Sequence, residues 1–136
     1  MIRPVMTNEF FLSQPSVPAS KEDASVGIDL LDTLRAHSHE CVGMAANMIG
    51  VRKRVIVFED GGTQRLMFNP QITEASGRYH AEEGCLSLNG QRPTDRFRRI
   101  KVKFLDDEFN EKEETFKGFT AQIIQHEIDH CEGILI

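Results

Sequence analysis

The sequence has no apolar run that reaches the roughly 20 residues needed to cross a bilayer. Its first eleven residues hold Arg3, Asn8 and Glu9 and no continuous apolar stretch of the kind a secretory leader carries. The chain is therefore expected in the cytoplasm, with no membrane partner. Basic charge is also in short supply. Sixteen Lys and Arg against 21 Asp and Glu leave a net charge of -5 and a pI near 5.5, which argues against nucleic acid as a direct partner. Cysteine is limited to Cys41, Cys85 and Cys131, an odd number at wide spacing. That pattern makes no disulfide framework and suits thiols kept reduced. Repeats, low-complexity tracts and linkers are missing too, so residues 1–136 are expected to form a single domain. What remains is ordinary for a soluble globular protein, at 40% apolar and 27% charged.

Hydrophobic periodicity divides the chain into few elements. Residues 1–19, with Pro4, Pro15 and Pro18, read as an extended or looped arm. Ala24, Ile28, Leu31 and Leu34 recur at helical spacing behind Ser20, which predicts a helix over 21–38. Residues 54–58 are β-branched and read as a buried strand, and 60–62 as a turn. Strands follow at 66–68, before Asn69-Pro70, and at 72–80 with an interruption near Gly77. The basic run from Arg92 to Arg99 is expected as a solvated loop leading into a strand. Ile100, Val102 and Phe104 alternate with charged residues, and residues 114–116 pair back after a polar turn. Residues 119–131 return to helical spacing, ended by Gly133, and 133–136 read as a short terminal strand. The order of helix, antiparallel strands and helix predicts an α+β domain.

The last helix carries Gln125-His126-Glu127-Ile128-Asp129-His130, an H-E-x-x-H pattern. Histidines four apart share one helical face, so both imidazoles can reach one metal ion. Glu127, beside the first of them, can take a proton from an activated water. Two histidines make an incomplete site, and the same pattern also fits a charged surface helix. His37, His39, His80 and Cys85 are all candidates for a third ligand.

Three segments resemble, in order, the signature motifs of peptide deformylases. They are Gly43-Met44-Ala45-Ala46, Glu83-Gly84-Cys85-Leu86-Ser87 and the Gln125–His130 segment. Asn69-Pro70 and the approach Phe116-Lys117-Gly118 are similar as well, and the resemblance runs from about residue 28 to the end. It implies antiparallel β-sheets packed around a central helix bearing the H-E-x-x-H motif. It assigns Cys85, His126 and His130 to one divalent ion, Fe2+ favoured and Zn2+ as the alternative. Two imidazoles and one thiolate leave a fourth, open position, the layout of a catalytic site. The resemblance also makes Glu127 the general base and the Leu86 backbone N–H an oxyanion donor. The implied substrate is a formyl-Met peptide or nascent-chain N-terminus, met at the ribosome. Gly43, Met44, Met48 and Arg92 fall near the bound peptide. Glu83 reads either as a partner that orients a ligand or an arginine, or as a solvated acid.

One departure stands out. The family's first motif continues to a glutamine whose amide is a second oxyanion donor, and here that position is Met48. A thioether donates no hydrogen bond. Losing one such donor costs a factor of roughly a hundred to a thousand in rate. Asn47 has an amide, but as the adjacent residue it is expected to point elsewhere. The first glycine of that motif is also changed, to Cys41. The sequence thus leaves room for a weakened deformylase, a metallo-amidohydrolase with a different N-acyl substrate, or a metal-binding protein without the activity. The chain stops at Ile136, where many family members continue.

Overall fold

The computed structural model describes residues 1–136. A short helix α1 (Glu9–Leu12) breaks the N-terminal arm, and α2 (Ala24–Ala36) follows a single 3-10 turn at Lys21–Asp23. Strand β1 (Gly43–Ala45) runs into a 3-10 turn at Ala46–Ile49. Then come β2 (Val55–Asp60), β3 (Thr63–Cys85), β4 (Leu88–Leu105), β5 (Glu111–Lys117) and α3 (Gly118–Cys131). The strands form one antiparallel sheet in the order β1-β2-β3-β4-β5, so the architecture is α+β as expected.

Strand alternation explains the continuous apolar run in β2. Ile56 and Phe58 pack in the cluster that contains Ile124 and Ile128 of α3. Val55 and Val57 pack in the cluster with Leu30 and Leu34 of α2. A strand buried on both faces has no solvent side on which to place polar residues.

The face that α2 buries differs from the one its periodicity predicts. Gly27, Leu30, Thr33 and Leu34 are buried, whereas Ile28 is 58% exposed. The cause is Gly27. A Cβ there would meet Leu66 Cδ2 and Phe68 Cζ at 2.8 Å, so the helix leans its glycine side on β3. A hydrophobicity pattern counts glycine as neutral and misses this close approach.

The strands expected at 66–68 and 72–80 are one 23-residue strand. Asn69, at φ 52°, and register shifts after Phe68 and Ile72 absorb the Asn69-Pro70 step as bulges instead of breaking the strand. The Asn69 side chain meanwhile holds the N-terminal arm, accepting from Ala19 N–H at 2.7 Å and donating to Ala19 C=O at 2.9 Å. The basic run at 92–99 lies within β4 and is no solvated loop, because residues 76–83 offer it a paired strand. Residues 133–136 form no strand. Gly133, at φ 79°, turns the chain under Ser13, and the Ile134 N–H bonds back to Asp129 C=O at 3.0 Å.

Candidate active site

Strands β3 and β4 are joined by a two-residue turn, Leu86–Ser87, with Cys85 opposite Leu88. This turn brings Cys85 against the middle of α3, beside a cavity of about 580 Å³. One ligand atom from each of Cys85, His126 and His130 lies within 4.8 Å of the others. The two Nε2 atoms are 3.0 Å apart. Tetrahedral coordination at ordinary metal–nitrogen lengths would place them about 3.3 Å apart, so the donors fit one small divalent ion. His37, His39 and His80 lie apart from it. The first two sit beside Glu40, and His80 beside Asp95.

The two histidines differ in their charge states. Burial, reinforced by the neighbouring His126, lowers His130 to about 3, so it stays neutral and keeps one ring nitrogen's lone pair for a metal. Burial also disfavours charge on His126, but hydrogen bonds with Cys85 and Glu83 outweigh it and raise it to about 10. That proton must leave when a metal binds.

Glu127 is buried on the cavity wall, and its Oε1 has no hydrogen-bond partner. Burial pushes its carboxyl up to about 7, partly opposed by His126. A carboxylate with that affinity and a free oxygen can accept a proton and give it back near neutral pH. Gly43 makes room for it, since a Cβ there would lie 2.8 Å from Glu127 Oε2 and 2.7 Å from Ile123 Cγ2.

Behind the histidines is a polar network that sequence patterning did not assemble. Glu83 accepts from His126 Nδ1 at 2.8 Å, from Arg96 Nη2 at 2.7 Å and Nε at 3.0 Å, and from Gln122 Nε2 at 2.9 Å. Burial alone would raise Glu83; these bonds outweigh it and hold the carboxyl near 2. Glu83 is thus the orienting partner and is not a solvated acid. Arg96 also donates to Asp129 at 2.6 Å. Gln125 ties α3 to β4 by accepting from Phe97 N–H and donating to Phe97 C=O, each at 2.8 Å. The available clue was that two motifs each carry an unexplained acid, Glu83 and Asp129, while an arginine-rich strand runs between them.

The remaining expected residues divide between the cavity and its surroundings. Leu86 lines the cavity, and its N–H takes part in no turn hydrogen bond. Met48 lines it as well, with its sulfur accepting from Ala45 N–H at 3.5 Å. Asn47 points away, as expected of the adjacent residue, and donates to His130 C=O at 2.9 Å. Met44 is turned by strand alternation into the α2-side core and is not part of the cavity wall. Arg92 also lies outside the wall, facing Glu9 of α1 at 3.8 Å. Cys41 does line the cavity, its thiol directed to Gly43 C=O at 3.0 Å.

Comparison with known proteins places the chain in a family. The polypeptide deformylase family model matches residues 5–136. The chain is 53% identical to a peptide deformylase of Clostridium beijerinckii over the full length of both. It is 43% identical to peptide deformylase 1 of Clostridium perfringens, over 79% of this chain and 74% of that one. A Met-Ala-Ser-bound crystal structure of the class I type b peptide deformylase from Acinetobacter baumannii superposes with a TM-score of 0.88. It has 30% identity and covers 99% of this chain and 97% of that one. No helix is long and apolar enough to cross a membrane. With its fold, its motifs and its full-length relatives in agreement, the chain belongs to the peptide deformylase family of hydrolases.

Proposed function

We propose that this protein removes the formyl group from N-formylmethionine at the start of nascent peptides in the cytoplasm, using one divalent metal ion. The observation that carries the reading is the meeting of Cys85, His126 and His130 at a cavity that Glu127 also lines with an unpartnered oxygen. The Met-Ala-Ser-bound relative, whose peptide begins with the methionine a deformylase would leave, supports it.

Cys85, His126 and His130 would hold the ion, with Fe2+ favoured and Zn2+ as the alternative. When bound, such an ion supplies Lewis acidity that makes water nucleophilic near neutral pH. Glu127 takes the proton from the attacking water and delivers it to the departing amine, which prevents expulsion of an amide anion. The Leu86 N–H donates to the oxygen that gains charge as the formyl carbon becomes tetrahedral. Ile123, Leu88 and Phe119 give the cavity an apolar side for the methionine side chain. Met48 contributes packing at that wall and donates no hydrogen bond, so turnover is slower than a glutamine there would give.

A different N-acyl group is the second reading. It is favoured by two changes in one wall, Met48 for the donor glutamine and Cys41 for glycine. Formyl-, acetyl- and unblocked Met-Ala-Ser, presented anaerobically to the iron-loaded protein, separate the two readings. Release of formate from the first peptide alone is the expected result. Faster release of acetate would favour the second reading.

A further inference from the structure

Gln122 lies one turn before His126 on α3, on the same helical face, and lines the cavity. Its amide is used at both ends. Nε2 donates to Glu83 Oε2 at 2.9 Å, and Oε1 accepts from the Tyr79 hydroxyl at 3.1 Å. Tyr79 is the only tyrosine of the chain and projects from β3, with the Arg98 guanidinium 4.7 Å above its ring. A continuous line of polar contacts therefore runs Arg98, Tyr79, Gln122, Glu83, His126.

The direction of the amide matters. A glutamine amide has a donor end and an acceptor end of nearly equal size. Glu83 is an ionised carboxylate and only accepts, so it draws the NH2 end and leaves the amide oxygen facing away. The Tyr79 hydroxyl donates to that oxygen and so tethers the amide from its far end. Glu83 Oε2 accepts from Gln122 and the Arg96 Nε, and Oε1 accepts from the Arg96 Nη2 and from His126 Nδ1. With Nδ1 fixed as a donor, His126 presents Nε2 toward Cys85 and His130, the only arrangement in which it can ligate there.

We infer that Gln122, its amide tethered from behind by Tyr79, is a positioning residue that holds Glu83 in the orientation His126 needs to bind the metal. Neither residue touches substrate chemistry or the metal. Their effect passes through Glu83, and it rests on the metal-site reading given above. Because Gln122 also lines the cavity, a group entering beside Phe119 presses on the same side chain that steadies the histidine.

Two variants isolate this. Gln122→Met keeps length and flexibility while removing both ends of the amide, and Tyr79→Phe removes only a half-exposed hydroxyl. The first readout is the rate at which metal-loaded protein gives up its ion to excess chelator, which needs no substrate. Loss of a partner behind a metal ligand typically costs tenfold or more in affinity, so release about tenfold faster is expected for Gln122→Met. Tyr79→Phe should be about threefold faster, since Glu83 still fixes the amide's direction and only its tether is lost. The double variant should release metal no faster than Gln122→Met alone, because the hydroxyl has no other route to the site. In the anaerobic formyl-Met-Ala-Ser assay, kcat should fall while KM changes by less than twofold. Equal release rates from the parent and both single variants would overturn the inference and leave the metal site standing. Additive effects in the double variant would overturn the shared route. Failure of the parent protein to hold an ion at all would instead overturn the metal-site reading itself.

Discussion

Arg96 grips the carboxylate of Glu83 with two of its nitrogens, and neither side chain is more than 8% exposed. The pair links the turn that delivers Cys85 to the helix that delivers the histidines, because the same guanidinium also holds Asp129. A buried ion pair is not in itself a source of stability, but removing one partner leaves the other charge stranded. Arg96→Met should therefore destabilise the protein by about 3–5 kcal/mol. Urea unfolding of the metal-free protein checks this. A loss under 1 kcal/mol would mean that water reaches Glu83 freely.

Much of this site was legible in the sequence, and the reasons are local. His126, Glu127 and His130 announce themselves because helical spacing fixes their common face whatever the rest of the chain does. Cys85 needed the resemblance, since nothing in the spacing of residues 85 and 126 says that a β-turn will meet a helix. Arg96 was misread as solvent-facing because a cluster of arginines looks the same on a loop and on a strand. Only the pairing of β3 with β4, a long-range event, puts one of them between two acids. The face of α2 was misjudged for a similar reason, since Gly27 packs through what it lacks.

Met48 is where the proposed reading expects a weaker oxyanion side. It lines the cavity, and the nearby Asn47 is committed elsewhere. Met48→Gln should restore an amide donor and raise kcat by about tenfold to a hundredfold, with little change in KM. Steady-state kinetics of formate release decide the matter. Equal kcat values would show that the Leu86 N–H and the metal suffice.

Gly43→Ala tests how closely the wall is fitted to the base. The new methyl would crowd Ile123 and the Glu127 carboxylate. Overpacking of this kind costs about 1–3 kcal/mol in stability. Activity should fall by more than that cost alone predicts for the folded population, because Glu127 is displaced. Thermal unfolding measured beside kcat separates the two effects.

Cys41 lines the cavity, yet it should be a poor nucleophile. Burial, with the nearby Glu127 charge next in size, pushes its thiol up to about 12. The reactive form is the thiolate, so at pH 8 only about one molecule in ten thousand carries it. Alkylation of Cys41 by iodoacetamide in the metal-free protein should be slow at pH 8 and climb roughly tenfold per pH unit up to the limit of the folded state. Peptide mass mapping after timed exposure reads this out. Rapid labelling at pH 7 would contradict the buried environment.

The account's central claim is that Cys85, His126 and His130 bind a metal beside which Glu127 moves a proton. Anaerobic formate release from formyl-Met-Ala-Ser by the iron-loaded protein, measured beside Glu127→Ala and with metal content determined for both, tests it most directly. Slow but definite turnover by the parent protein is predicted. Glu127→Ala should hold one equivalent of metal and lose at least a hundredfold in kcat, the usual scale for a general base. Formate release by Glu127→Ala at the parent rate, or none by the parent protein and by Met48→Gln, would contradict it.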